Sequence, residues 1–296
     1  MSAELNYFLQ QLLNGLALGG MYALIAVGYS MVYGMLYKPN FAHGDMYVFG
    51  TFLAFTALTV LKMPVVAGIL LAGLLTACLG MLIERVVYRP IRYAHRIVPM
   101  ISALSAALIL RTIAQVVWGP EALAFPSFLP TTSFNIGEFT VYWKQIIVLV
   151  VATVCVVAFT MVIKFTKLGK ATQCIMSDLP TSSLMGIPIN KIVPLIYAMG
   201  GFFGVIGGVL YSSYYNVISI DMGIWGTTKA WAAAMLGGVG SFYGSFFGGL
   251  LLGLAETMAA AYVHTGYKDA VGYLVIVLVL LFKPEGLFGK KKVEKV

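Results

Sequence analysis

The chain has 296 residues, of which 60% are hydrophobic and only 10% charged, with a mean hydropathy of +0.92 and a formal net charge of +8. A soluble domain carries about 25% charged residues, so this composition excludes a water-soluble globular enzyme and describes a chain that crosses a membrane many times. The 19 basic residues lie in short clusters between apolar runs. That is the pattern of membrane orientation, not of a phosphate-binding face, so no nucleic-acid partner is expected.

The N-terminal MSAELNYFLQQ carries an acid and no Lys or Arg ahead of its apolar run. It lacks the basic flank of a cleaved signal, so residues 5–37 are expected to stay as a first span. These 33 uncharged residues suit one tilted helix with an extra turn, or a helix and a half-helix. Pro39 stops the run. Residues 38–50, KPNFAHGDMYVFG, then place Asn40, His43, Gly44 and Asp45 between two apolar runs, and 46–61 continue as a second segment. Backbone polar groups in hydrocarbon need internal partners, so such a break belongs at a membrane surface or in a protein-lined cavity.

A third span covers 65–83. Arg85, Arg89, Arg92 and Arg96 follow it, and the positive-inside rule makes that loop cytoplasmic. Residues 97–119 leave again, interrupted by Arg111. Residues 120–143, with Glu121, Glu138 and three prolines, read as an irregular external loop, and 145–163 return. A second cytoplasmic loop, 164–191, carries Lys164, Lys167, Lys170 and Lys191. Residues 192–214 leave with the small-residue spacing that lets helices approach closely. The uncharged stretch 230–255 is broken by LGGVGSFYGSFFGG. Residues 228–237 reach only half a bilayer at about 1.5 Å per residue. A last span centres on 270–282, and 284–296 form a basic cytoplasmic tail.

Crossing once each, these runs would strand Lys290, Lys291 and Lys292 outside. An additional crossing or a re-entrant stretch is therefore expected between about residues 216 and 263. The expectation is one all-α polytopic membrane domain over 1–296, with about 8 to 10 transmembrane segments, some of them discontinuous or re-entrant at Gly breaks. Paired broken segments in corresponding halves point to a transport site. On that ground Asn40, His43, Gly44, Asp45, Gly237, Gly238, Gly240 and Ser241 are candidates for a substrate pathway.

Several stretches resemble the branched-chain amino-acid ABC permeases of the LivH type. They are NGLALGGMYALIAVGYSMVYGMLYKPNFAHGDMYVFG, IERVVYRPIR, LGGVGSFYGSFFGGLLLGLAE and YKDAVGYLVIVLVLLFKPEGLFG, in the family's order and spanning nearly the whole chain. The resemblance implies a bacterial inner-membrane importer subunit. It also implies a homologous second permease (LivM-like), two ATP-binding subunits (LivG- and LivF-like) and a periplasmic substrate-binding protein. ATP would be bound by those partners, with no cofactor in this chain. Consistently, the chain has no GxxxxGK[ST] phosphate loop, and GLFGKKK has the wrong spacing. The family pattern places an uncharged residue where Arg111 stands.

By the same resemblance, residues 169–190 occupy the place of a coupling helix that docks an ATPase, with Gly169, Asp178, Ser182, Leu184, Met185 and Gly186 as its residues. Asp178 can cap a short helix, Pro180 is tolerated in its first turn, and Gly186 can end it. An ordinary surface loop is the alternative. At the first break, a half-helix N-terminus can receive a carboxylate, or Asn40 merely caps the next helix and Asp45 complements its dipole. Arg111 can line a cavity, snorkel to the interface, or pair with an acid of another span such as Glu256. Glu256 can relay protons or make an interhelical bond. The glycines can permit a sharp break or touch substrate.

The function so implied is import of leucine, isoleucine, valine or related amino acids. Urea, amides or other amino acids are alternative cargoes, and an ion-coupled secondary transporter using Asp45, Arg111 or Glu256 is the competing class. No nucleophile–base pair or metal cluster suggests an enzyme.

Overall fold

The structure, a computed structural model, describes residues 3–36, 38–95, 97–136 and 139–289. Arg96, Glu138, Lys290, Lys291 and Lys292, used above for orientation, lie outside the described residues. Helix α1 (Ala3–Leu36) is one unbroken helix of 34 residues. At 1.5 Å per residue it is about 51 Å long, well over the ~30 Å hydrocarbon core. It is the centre of the bundle. Gly15 and Gly19 bring it against Leu254 and Leu250 of α10 (Phe242–Tyr262), and Gly28 brings it against Gly200 of α8 (Ile189–Tyr215).

Helix α2 (Ala42–Thr59) begins at the break itself, so His43 and Asp45 are helical and buried. Helix α3 (Val65–Ile83) runs on through a π-helical turn, Glu84–Tyr88. Helices α4 (Ile97–Trp118) and α5 (Trp143–Phe165) flank the external segment. That segment is more regular than expected. Its strands β2 (Ser133–Ile136) and β3 (Phe139–Tyr142) form a hairpin, and β1 (Leu123–Ala124) pairs with β4 (Val217–Ile218) beyond α8. Two short helices, α6 (Lys167–Ser177) and α7 (Leu179–Leu184), lie between α5 and α8.

Where the sequence predicts an additional crossing or a re-entrant stretch, the structure has helix α9 (Met222–Gly237). It starts six residues before the expected half-bilayer piece and is continuous for 16 residues, about 24 Å. The Gly break is thus a turn between α9 and α10 rather than a discontinuity within a helix. Gly238 and Gly240 take φ of +100° and +80° in that turn, a region glycine enters without steric cost. Helix α11 (Lys268–Phe282) then returns.

Among the described residues seven helices are long and apolar enough to cross a membrane. The shorter α2 and α9, of 18 and 16 residues, pack within the same bundle.

Candidate functional site

Four buried polar groupings stand out among the described residues; in the first two, Asn40 Nδ2, both ring nitrogens of His43 and the Nε atoms of Arg89 and Arg92 have no hydrogen-bond partner. At the first break, Asn40 Oδ1 accepts the Ala42 N–H at 3.1 Å and the Tyr88 hydroxyl at 2.9 Å. Asn40 therefore caps α2 from a fully enclosed position. His43 is also fully buried, with its ring edge-on to Tyr29 at 5.9 Å between centroids. Neither Asn40 nor His43 lines one of the cavities described below. Beside them, Lys38 donates to the carbonyls of Arg92 at 2.6 Å and Ala94 at 3.2 Å. Burial pulls its ammonium below the usual lysine pKa.

The second grouping joins the end of α3 to the start of α8. Glu84 is fully buried and binds Arg92 through Oε1 at 2.5 Å and Arg89 through Oε2 at 3.0 Å. Both arginines continue to Asn190, Arg89 to its carbonyl and Arg92 to its side chain, each at 2.9 Å. These arginines hold the loop to the bundle.

The third grouping is centred on Lys229, which the sequence reading passed over. Its ammonium contacts Glu256 Oε1 and lies 2.7 Å from Asp269 Oδ1, while Tyr22 donates to Glu256 Oε2 at 3.0 Å. Helices α1, α9, α10 and α11 thus meet around the Lys229–Glu256 pair. Glu256 is an interhelical partner, and its cation is Lys229 rather than Arg111. A cavity of about 400 Å³ opens beside this cluster, lined by Tyr211, Trp225, Lys268 and Tyr273 among others.

The fourth grouping also lines a cavity. Arg111 of α4 reaches Asp45 of α2 with Nε at 3.2 Å and Nη2 at 3.0 Å, both on Oδ1. Gly223 leaves room for this carboxylate, because a Cβ there would stand 2.6 Å from Asp45 Oδ1. Gly44 packs so closely on Thr227 and Gly223 that a side chain would collide with both. Gly44 therefore sets the α2–α9 spacing. The pair borders a cavity of about 340 Å³ between α2, α4 and α9.

At the second break, Ser241 caps α10 by accepting the Gly244 N–H at 3.1 Å. Gly237 sits against the Gly244 carbonyl, and Gly240 donates to Ser30 Oγ at 3.1 Å. The amides of Leu287 and Phe288 then cap the carbonyls of Leu236 and Gly237 at 2.8 and 3.0 Å. The break is a packed corner beneath the tail, and none of its glycines lines the cavities above.

A family model for the branched-chain amino acid transport system permease component matches residues 11–280. The chain belongs to this permease family. The high-affinity branched-chain amino acid transport system permease protein LivH of Escherichia coli (strain K12) is 37% identical, over 100% of both chains. BraD of Pseudomonas aeruginosa, named as the same kind of permease, is 38% identical over 99% of both. A probable branched-chain amino acid transport permease protein LivH of Methanocaldococcus jannaschii is 23% identical over 90% of this chain and 88% of its own. The solved structure of PsaBC from Streptococcus pneumoniae in complex with Fab overlays at TM-score 0.48 and 13% identity, covering 94% of this chain and 92% of that one.

In this permease helices α6 and α7 are built by local capping. Thr166 accepts the Gly169 N–H at 3.2 Å, and Gly169 packs on the backbone of Ile163 where a side chain would collide. Asp178 accepts the Thr181 N–H at 3.1 Å and the Thr181 hydroxyl at 2.7 Å. Ser182 is buried and donates to the Asp178 carbonyl at 2.7 Å. Gly186, at φ +80°, follows the end of α7. Leu184 and Met185 are left 87% and 78% exposed, an apolar tip on the polar face of the protein.

Proposed function

We propose that this chain is the inner-membrane permease subunit of a bacterial ABC importer for leucine, isoleucine, valine or related amino acids, forming half of the translocation pathway. The reading is supported above all by full-length similarity to the LivH and BraD permeases. The second half of the pathway is a homologous permease of the LivM type. Two ATPases, LivG- and LivF-like, dock from the cytoplasm and bind the ATP, and a periplasmic binding protein delivers the cargo. Gly169, Asp178, Ser182, Leu184, Met185 and Gly186 form the docking element. The exposed Leu184–Met185 tip supports this, because an isolated apolar pair on a loop gains by burial in a partner's cleft. Of the break residues, Asp45 is the one placed on a cavity. Asn40, His43, Gly237, Gly238, Gly240 and Ser241 act by shaping the helices around it.

The mechanism is alternating access. ATP-driven movement of α6 and α7 is transmitted through α5, whose last residue lies two positions before α6, and through α8, which follows α7. The test is uptake of radiolabelled leucine into proteoliposomes holding both permeases and both ATPases. Uptake should require ATP and the binding protein. Uptake by this permease alone, driven by a proton gradient, would overturn the proposal in favour of an ion-coupled carrier.

A further inference from the structure

We propose that the Asp45–Arg111 pair and the cavity beside it form a zwitterion subsite. Asp45 receives the α-ammonium of the cargo, Arg111 the α-carboxylate, and the apolar wall the branched side chain. The proposal rests on the permease reading above and assigns a recognition chemistry to it.

The contrast with the other buried ion pairs carries the inference. Around Glu84 both carboxylate oxygens hold a guanidinium, and Arg92 uses both terminal nitrogens. Around Lys229 one ammonium is shared by two carboxylates, with a phenol on the remaining oxygen of Glu256. Glu84 and Glu256 thus each have a donor on both carboxylate oxygens, although Arg89 and Arg92 each keep a buried Nε without a partner and Lys229 and Asp269 line the cavity of about 400 Å³. In the Asp45–Arg111 pair, both arginine contacts converge on Oδ1. Among the described residues, Oδ2 takes no side-chain donor and Nη1 gives no hydrogen bond. A charged donor edge and a charged acceptor edge therefore stand side by side, facing one cavity in a bundle where intramembrane charges are expensive and default to function.

The surroundings fit the two ends of an amino acid. Thr227 and Thr228 line the same cavity and donate their hydroxyl protons to the Gly223 and Trp225 carbonyls at 2.8 and 2.9 Å. Their remaining lone pairs are acceptors, which suits an ammonium. The rest of the wall is Phe41, Leu104, Ala107, Leu108 and Ile224. At about 340 Å³ the cavity lies in the range of small-molecule sites, which are mostly apolar with a few placed polar groups. A carboxylate on a guanidinium edge gains charge-assisted, bidentate geometry. Binding leaves the Arg111–Asp45 contact through Oδ1 intact, so neither charge is stranded.

The experiment uses the complete transporter in nanodiscs, with Cys78, Cys155 and Cys174 replaced by Ser and a reporter thiol introduced by Leu108→Cys. Maleimide labelling of the reporter is timed with added L-leucine, with isocaproate (no ammonium) and with isoamylamine (no carboxylate). L-Leucine should slow labelling several-fold and the two truncated analogues should not. Asp45→Asn and Arg111→Gln should each abolish the protection. Because either change can impair assembly, Ala107→Leu supplies a second arm that keeps both charges. It should remove protection by leucine while leaving protection by alanine. Equal protection by the truncated analogues, or protection that survives both charge variants, would overturn the subsite. Leucine uptake by the unaltered transporter is measured in parallel. Normal uptake without protection sinks the subsite alone, whereas absent uptake sinks the leucine-permease reading itself.

Discussion

Lys229 of α9 is clasped by Glu256 of α10, which is fully buried, and no water-exposed atom of Glu256 shares the charge. Removing one partner of a buried pair costs about 3–5 kcal/mol when the other is left uncompensated, but here Asp269 stays 2.7 Å from the ammonium. Glu256→Gln should therefore lower detergent-state stability by no more than about 3 kcal/mol. The double variant Lys229→Met with Glu256→Gln keeps an acceptor for Tyr22 and should recover most of the loss. Thermal unfolding of the four proteins in the cycle checks this, and additive losses would show that the two residues do not act as a pair.

Glu84 makes the same kind of prediction with a different readout. Its two arginines also hold Asn190 at the start of α8, so Glu84→Ala frees the loop from the bundle as well as stranding charge. Trypsin should then cut after Arg92 many times faster than in the unaltered protein, the Arg89–Pro90 bond being resistant. Unchanged cleavage rates would mean that the cluster does not hold the loop.

A methyl group separates tight from loose helix contacts. A Cβ at Gly28 would stand 2.8 Å from the Gly200 carbonyl, whereas one at Gly68 meets only the flexible end of Leu58 at 3.1 Å. Overpacking against backbone costs about 1–3 kcal/mol, so Gly28→Ala should destabilise by that amount. Gly68→Ala should stay within about 0.5 kcal/mol, as surface-like changes do. Equal melting temperatures for the two would refute the close α1–α8 contact.

Leu184 and Met185 contribute little to the fold because they are exposed. Converting both to Ser should leave unfolding within about 0.5 kcal/mol yet reduce co-purification of the ATPases and ATP-driven uptake by an order of magnitude or more. Retained ATPase binding would remove this tip from the docking surface.

Much of the bundle was legible in the chain. Helix α3 begins and ends where its apolar run does, at Val65 and Ile83, since a lipid-facing span is delimited by where charge resumes. Helix α9 was legible only as a half-bilayer piece starting six residues late, at 228. The role of Lys229 was not legible, because the acids that hold it, Glu256 and Asp269, lie 27 and 40 residues away. The same blindness to long-range partners assigned Arg111 a notional acid in Glu256, when Asp45, 66 residues before it, holds it. Local signals fared better. The Asp178 cap and the Gly186 turn follow from side-chain and backbone chemistry within a few residues.

Helix α1 touches protein on nearly every side: 94% of its most apolar window is enclosed, against 11% for α11. To a hydropathy scale the two are interchangeable, but they face different solvents. Lipid accepts any apolar side chain of roughly suitable size, so a library exchanging Leu, Val and Ile along α11 should be almost silent. The same exchanges along α1 must fit rigid neighbours on several fronts at once, so most should be lost under selection. The helix with the plainest sequence is thus the one with the least freedom to drift.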